Sequence, residues 1–198
     1  MTALAAAAIF GVYSYLSPLL TGVTGLPAAW VPVVLTVFGV GSVVGVTVGG
    51  RVADAHPFPT LYAGVGGLAV ALAAFGVFER VPWAVFGVAG LFGVFGFVIN
   101  PVLNGRTLGL AGEAPTLAAS ASVSAFNTGN MAGPWLGGRV IDGPGVAGVP
   151  WLGAGLAVAA LGVVGLAAAL ERRRVRRTAV EDAPVPRSPA GSATTRPA

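Results

Sequence analysis

Apolar residues run almost without interruption through six stretches: Ala3–Leu20, Trp30–Gly50, Phe58–Phe78, Pro82–Leu103, Leu117–Gly138 and Pro150–Leu170. A bilayer core about 30 Å thick is crossed by roughly 20 helical residues, and each stretch is close to that length. Backbone polar groups cannot stay unpaired in lipid, so such stretches are expected to be helices. A β-barrel would show alternating segments of about 10 residues instead. The run Leu68-Ala69-Val70-Ala71-Leu72-Ala73-Ala74-Phe75 does not alternate. The pattern predicts an all-α membrane protein of six transmembrane helices within residues 1–177, spanning about 3–20, 30–50, 58–78, 82–103, 117–138 and 150–170.

From Thr178 onward the pattern stops. Glu181-Asp182-Ala183-Pro184-Val185-Pro186 and the small residues after it cannot bury a core, and 178–198 are expected to form a disordered cytoplasmic tail. Composition sharpens the membrane reading. The chain is 55% hydrophobic and 9% charged, too few charges to cover a water-soluble domain. The absence of cysteine removes disulfides and thiolate metal sites.

The net charge of +4 comes from arginines placed very unevenly. Seven of the eleven follow Leu170, in Arg172-Arg173-Arg174-Val175-Arg176-Arg177 and the tail. A basic cluster directly after a membrane helix meets anionic lipid headgroups, so membrane lipid is the expected partner and nucleic acid is not. With six spans, the connections at 51–57 and 104–116 share a side with both termini, and that side carries nine of the eleven arginines. Arg80 and Arg139 fall opposite. The positive-inside rule then predicts a multi-pass cell-membrane protein with both termini cytoplasmic.

Many of the 31 glycines lie inside the apolar stretches, where small residues let helix backbones approach closely. Gly41, Gly45 and Gly49 form a stripe on the second helix, expected to pack within the chain rather than to serve as a dimer seam. Gly87, Gly90, Gly93 and Gly96 wind around the fourth, as suits a helix touched on several sides. Gly129, Gly133 and Gly137 line the fifth, beside Pro134, which removes a backbone donor and is expected to kink or loosen that helix.

None of the seven acidic residues sits well inside a stretch. Intramembrane proteolysis would need carboxylates or a metal-binding His/Glu set at membrane depth. Ser120, Ser122 and Ser124 have no histidine at that depth to activate them, and no Gly-x-x-x-x-Gly-Lys loop is present. An enzyme is not expected, nor a cofactor or metal. The polar groups within the helices are neutral: Tyr13, Tyr15, Asn100, Asn104, Asn127 and Asn130. They suit a cavity for an uncharged, partly apolar ligand, with Phe10 and Phe126 adding stacking surface. Tyr13 and Tyr15 point in different directions, and Tyr13 is preferred for the cavity. Hydrogen bonds between helices are the alternative role for all of these groups.

Several segments carry a resemblance. Gly129-Asn130-Met131-Ala132-Gly133-Pro134-Trp135-Leu136-Gly137-Gly138 resembles the Gly-x-x-x-Gly-Pro-x-x-Gly-Gly pattern of drug–proton antiporters in the major facilitator superfamily. Phe10–Thr21 resembles the seventh helix of its arabinose- and chloramphenicol-efflux branch, and Gly49-Gly50-Arg51-Val52-Ala53-Asp54 the weaker copy of its cytoplasmic-loop motif. Asn100-Pro101 with Leu110–Ala118 resembles the tenth helix and the following loop. Ser124-Ala125-Phe126-Asn127, leading into the glycine run, resembles the eleventh. Two positions depart from the pattern: His56-Pro57-Phe58-Pro59 replaces the basic residues after Asp54, and Ser122 stands where an asparagine is expected.

The resemblance implies the C-terminal six-helix half of a twelve-helix secondary exporter of a small hydrophobic drug or sugar, coupled to protons. Its partner would be an N-terminal six-helix half or a second copy. A lone half is expected to be inactive; a non-transporting membrane partner or a self-pairing half is the alternative. The neutral groups described above place the expected substrate cavity at Tyr13, Asn100, Asn104, Phe126, Asn127 and Asn130. The resemblance further implies a packing hinge at Gly129, Gly133, Pro134, Gly137 and Gly138. Asp54 would form a cytoplasmic latch with Arg51, facing a helix N-terminus of the other half, or would simply cap the third helix.

Overall fold

A computed structural model describes residues 1–53, 57–109 and 115–181. Asp54, His56, Glu113, the loop 110–114 and the tail 182–198 lie outside the described residues. The described backbone is helical: α1 (Thr2–Ser14), α2 (Leu16–Pro18), α3 (Val31–Ala53), α4 (Pro57–Phe78), α5 (Pro82–Gly109), α6 (Pro115–Ile141) and α7 (Val149–Glu181). Met1–Gly165 form one compact unit, and the residues from Leu166 form a second.

The first apolar stretch is not one straight helix. α1 and the segment Leu16–Val23 meet at a 48° bend. Pro18 is the physical reason: it offers no N–H to the Ser14 carbonyl, and its ring crowds that carbonyl. The chain answers with a tighter bond from Tyr15 N–H to the Val12 carbonyl at 3.1 Å. After Pro18 the helix widens to a π-helical turn over Leu19–Val23. It ends where Leu26 N–H reaches back to the Leu20 carbonyl at 3.0 Å across Gly25, whose φ of +74° favours glycine.

Four helices are long and apolar enough to cross a bilayer, and the bent pair makes a fifth. α6 is the sixth long helix. Its 27 residues exceed the length a crossing needs, but Ser120, Ser122, Ser124, Asn127, Thr128 and Asn130 make it more polar than the rest. It runs without interruption through Pro134, the residue expected to kink or loosen it. α7 also departs from expectation. It continues to Glu181, so residues 178–181, assigned above to the tail, are helical. The run from Glu171 to Glu181 contains neither glycine nor proline, which removes the usual helix breakers.

The bundle closes on two glycine seams. On α3, a Cβ placed at Gly41, Gly45 or Gly49 would collide with the carbonyls of Gly90, Val94 and Val98 on α5. Gly93 of α5 is pressed in return on the Phe38 carbonyl. The α3 stripe is thus spent inside the chain. On α6, Gly129 and Gly133 sit on the carbonyls of Ala3 and Ala7, and a Cβ at Gly133 would also lie 2.8 Å from the Gly11 nitrogen. Elsewhere larger side chains fill glycine notches: Phe95 and Ile99 of α5 enter at Gly67 and Gly64 of α4, and Trp151 covers Gly76.

Three apolar layers lie along the bundle. Leu61, Val65, Val98 and Ile99 build the layer nearest the N-terminus; Val12, Leu68, Leu72 and Phe92 form the middle. Leu16, Leu20, Val34, Phe75 and Val88 form the far layer. The outward surface is apolar as well, with Val43 68% and Val70 70% exposed, as expected of a face turned to lipid. All four tryptophans, Trp30, Trp83, Trp135 and Trp151, are exposed near the end remote from the N-terminus.

Replacing Gly45 with leucine is expected to destabilise the bundle by about 1–3 kcal/mol, the usual range for overpacking, because what it would strike is backbone. Gly50→Leu, facing open space, is expected to be near neutral. Reversible unfolding of the solubilised protein compares them, and equal effects would contradict a close α3–α5 seam.

Candidate functional site

Three helices converge near the N-terminal end. On α5, Phe97, Asn100 and Asn104 recur at spacings of three and four and therefore share a face. On α6, Ser122 and Phe126 are one turn apart. On α1, Thr2 and Phe10 face them. Thr2, Asn100, Leu103, Asn104, Ser122, Val123 and Phe126 enclose a cavity of about 230 Å³. Phe126 closes one side and meets Phe10 edge-on, with ring centroids 5.5 Å apart.

Among the described residues, no titratable side chain lines this cavity. Its polar groups are two amides and two hydroxyls, each able to donate and to accept. The remaining wall is aromatic or aliphatic. Such a lining can orient a neutral, hydrogen-bonding, partly apolar molecule, with neutral amides and hydroxyls as its polar groups.

Of the six residues assigned to a substrate cavity, Asn100, Asn104 and Phe126 come together here. Tyr13 does not. It lies eleven residues along α1 from Thr2, roughly 16 Å at helical rise, is 39% exposed, and stacks on Phe38 with centroids 5.1 Å apart. Phe38 in turn packs on Phe92 and Phe97, which gives an aromatic cluster further into the bundle. Asn127 and Asn130 are exposed on α6 and do not line the cavity. Thr2 and Ser122 were not chosen from the sequence. Ser122 carried a signal, since it stands one turn before Phe126 and at the position where the resembled family has an asparagine; Thr2 carried none.

The residues assigned to the hinge face α1. Tyr15 reaches across to them: its ring covers Gly137 and its hydroxyl donates to the Pro134 carbonyl at 2.9 Å. The two tyrosines thus divide the roles left open above, Tyr15 tying helices together and Tyr13 facing outward. Arg51 is exposed on the last turn of α3, where a cation complements the helix dipole. Its proposed partner Asp54 is outside the described residues.

The chain is 35% identical over 84% of its length to the inner membrane transport protein YdhP of Escherichia coli. It is 36% identical over 67% of its length to a chloramphenicol resistance protein of Streptomyces lividans. A third relative, the uncharacterized MFS-type transporter YtbD of Bacillus subtilis, is 30% identical over 87% of the chain. The chain belongs to the major facilitator superfamily. It spans 43%, 34% and 45% of these relatives, less than half the length of each. No protein-family model matches it. Its relatives are membrane transporters rather than enzymes, and the apolar helices are those of a multi-pass membrane protein.

Removing the Tyr15 hydroxyl tests its tie to α6. Tyr15→Phe is expected to lower bundle stability by about 0.6 kcal/mol, the average for an interhelical hydrogen bond, while Tyr13→Phe keeps its stacking and stays close to wild type. The same unfolding measurement distinguishes them, and the reverse ranking would exchange the two roles.

Proposed function

We propose that this chain is the C-terminal six-helix half of a proton-coupled exporter of small, neutral, partly apolar molecules. In this reading it works only beside an N-terminal half or a second copy. The neutral amide–aromatic cavity between α1, α5 and α6 carries the proposal, because it offers recognition without a charge. Similarity to a chloramphenicol resistance protein and to a chloramphenicol efflux pump supports export, and the fraction of its relatives that the chain spans supports a half. Transport would proceed by rocking this bundle against its partner. The glycine seams would let α1 and α6 move as one body, and Gly133 and Pro134 would set the line along which they meet. Asp54, with Arg51, would latch the cytoplasmic side against a helix N-terminus of the partner.

The arginine distribution supports placing both termini in the cytoplasm. Accessibility tags at Met1 and Ala198 are expected to report inside, and an external tag at either end would overturn the topology.

Efflux from cells tests the function, using a substrate panel that includes chloramphenicol and sugars. The chain alone is expected to give none, and co-expression with the N-terminal half of a close relative to restore it. In that pair, Asn100→Ala is expected to lower efflux by about fivefold, corresponding to a hydrogen-bond loss of about 1 kcal/mol. Gly133→Leu should abolish efflux without preventing membrane insertion. Asp54→Asn should slow turnover with little change in expression. Proton-linked efflux by the strictly monomeric chain would overturn the half-transporter reading; silence in both arms would favour a non-transporting membrane partner.

A further inference from the structure

None of the seven acidic residues sits well inside an apolar stretch, yet one of them is not in water. Glu79 directly follows α4 and is only 8% exposed. Its Oε2 is buried and has no hydrogen-bond partner among the described residues. Phe75, one turn earlier on the same face, is wholly buried with Leu16, Leu19, Leu20, Val31 and Val34 in the apolar layer remote from the N-terminus. The sequence gives no warning of this, because a glutamate beside an arginine in a short loop looks solvated.

The surroundings supply little to balance a negative charge. The segments that pack at this end carry no titratable side chain from residue 16 to 48 or from 81 to 105. Arg139 and Asp142, at the end of α6, are both exposed, and Arg139 is held 4.6 Å over the Trp135 ring. Arg80 is the one charge whose field lowers the Glu79 pKa. Desolvation, which raises it, is the larger effect, and the net shift is upward from 4.5. An ionised carboxylate with an unpartnered buried oxygen is unfavourable, whereas the neutral acid can be tolerated in the same place.

We propose that Glu79 is a proton-binding site that ties closure of this end of the bundle to pH. The carboxyl is neutral in the closed packing seen here. It releases its proton to water when the end opens, and the carboxylate then shares the solvated loop with Arg80. The sign follows from the direction of the shift. Below the ordinary glutamate pKa the group is protonated whether open or closed, and the closed packing carries no penalty. As pH rises from that value through the raised one, the penalty on the closed form grows to its full extent, so alkaline conditions favour opening. The assignment rests on the burial of Glu79 and stands apart from the transport reading. Should that reading hold, the half would possess a proton site of its own.

Two measurements on the full chain in lipid test it. Infrared titration follows the protonated-carboxyl stretch. A component is expected to persist above pH 4.5 and to be missing from Glu79→Gln; loss of the whole signal at the ordinary glutamate value would overturn the proposal. The second measurement uses the absence of natural cysteine. A single cysteine at Ala89, fully buried in the same layer, is labelled with a water-soluble thiol reagent across pH. Thiol reactivity itself rises with pH, so the same cysteine in the Glu79→Gln chain provides the baseline. Labelling is expected to climb above that baseline as pH increases. Superimposable profiles would overturn the link to closure even if the carboxyl titrates high. Should the glutamine variant fail to insert, the wild-type infrared midpoint alone still decides whether the proton site exists.

Discussion

The whole bundle depends on backbones that touch. In water, helices are drawn together largely by removing apolar surface from solvent; in lipid that drive is missing, and contact area must supply the attraction. Glycine makes the contact possible. At the α3–α5 and α1–α6 seams the approach is so close that a single methyl group would strike a carbonyl. These two pairs form the rigid frame, and α4 and α7 complete it with the opposite device, side chains seated in notches. Phe95 in the notch of Gly67 and Trp151 over Gly76 show how one residue type serves both arrangements.

The site inherits its geometry from one of these seams. Gly129 fixes α6 against Ala3, which brings Ser122 and Phe126 opposite Thr2 and Phe10, and α5 then presents Asn100 and Asn104 to the gap. The cavity therefore lies toward one end of the bundle, while the aromatic cluster of Tyr13, Phe38, Phe92 and Phe97 lies deeper. A molecule held by the amides would meet rings on its inward side.

Much of the architecture was legible in the sequence because lipid imposes one demand, a long apolar helix, that composition alone can reveal. The stripe Gly41, Gly45, Gly49 was legible for the same reason: spacing four has one meaning on a helix. Departures arose where a tertiary partner decides. Pro18 was visible, but the bend at Tyr15 and the π-helical turn depend on how freed carbonyls find donors. Pro134 was expected to kink or loosen α6; the helix runs on through it, with α1 packed along that stretch and the Tyr15 hydroxyl donating to the Pro134 carbonyl. Of the polar residues, Asn100 and Asn104 share a face by simple spacing and were found together. Asn127 and Asn130 were grouped with them by type, and no periodicity linked them to α5. Glu79 lay beyond any pattern, since burial at a loop is set by the helices around it.

The four tryptophans add an asymmetry to this frame. Indole rings settle at the boundary between hydrocarbon and water, where the ring stays dry and the N–H wet. With all four at one end of the bundle, that boundary is met by indole rings from the turn before α3 and from α5, α6 and α7. The opposite end is marked by other chemistry: Arg51 is exposed on the last turn of α3, and Tyr62 is exposed near the start of α4. The two boundaries are thus met by different groups, indole rings at the end that contains Glu79 and guanidinium and phenol at the end that contains the amide cavity.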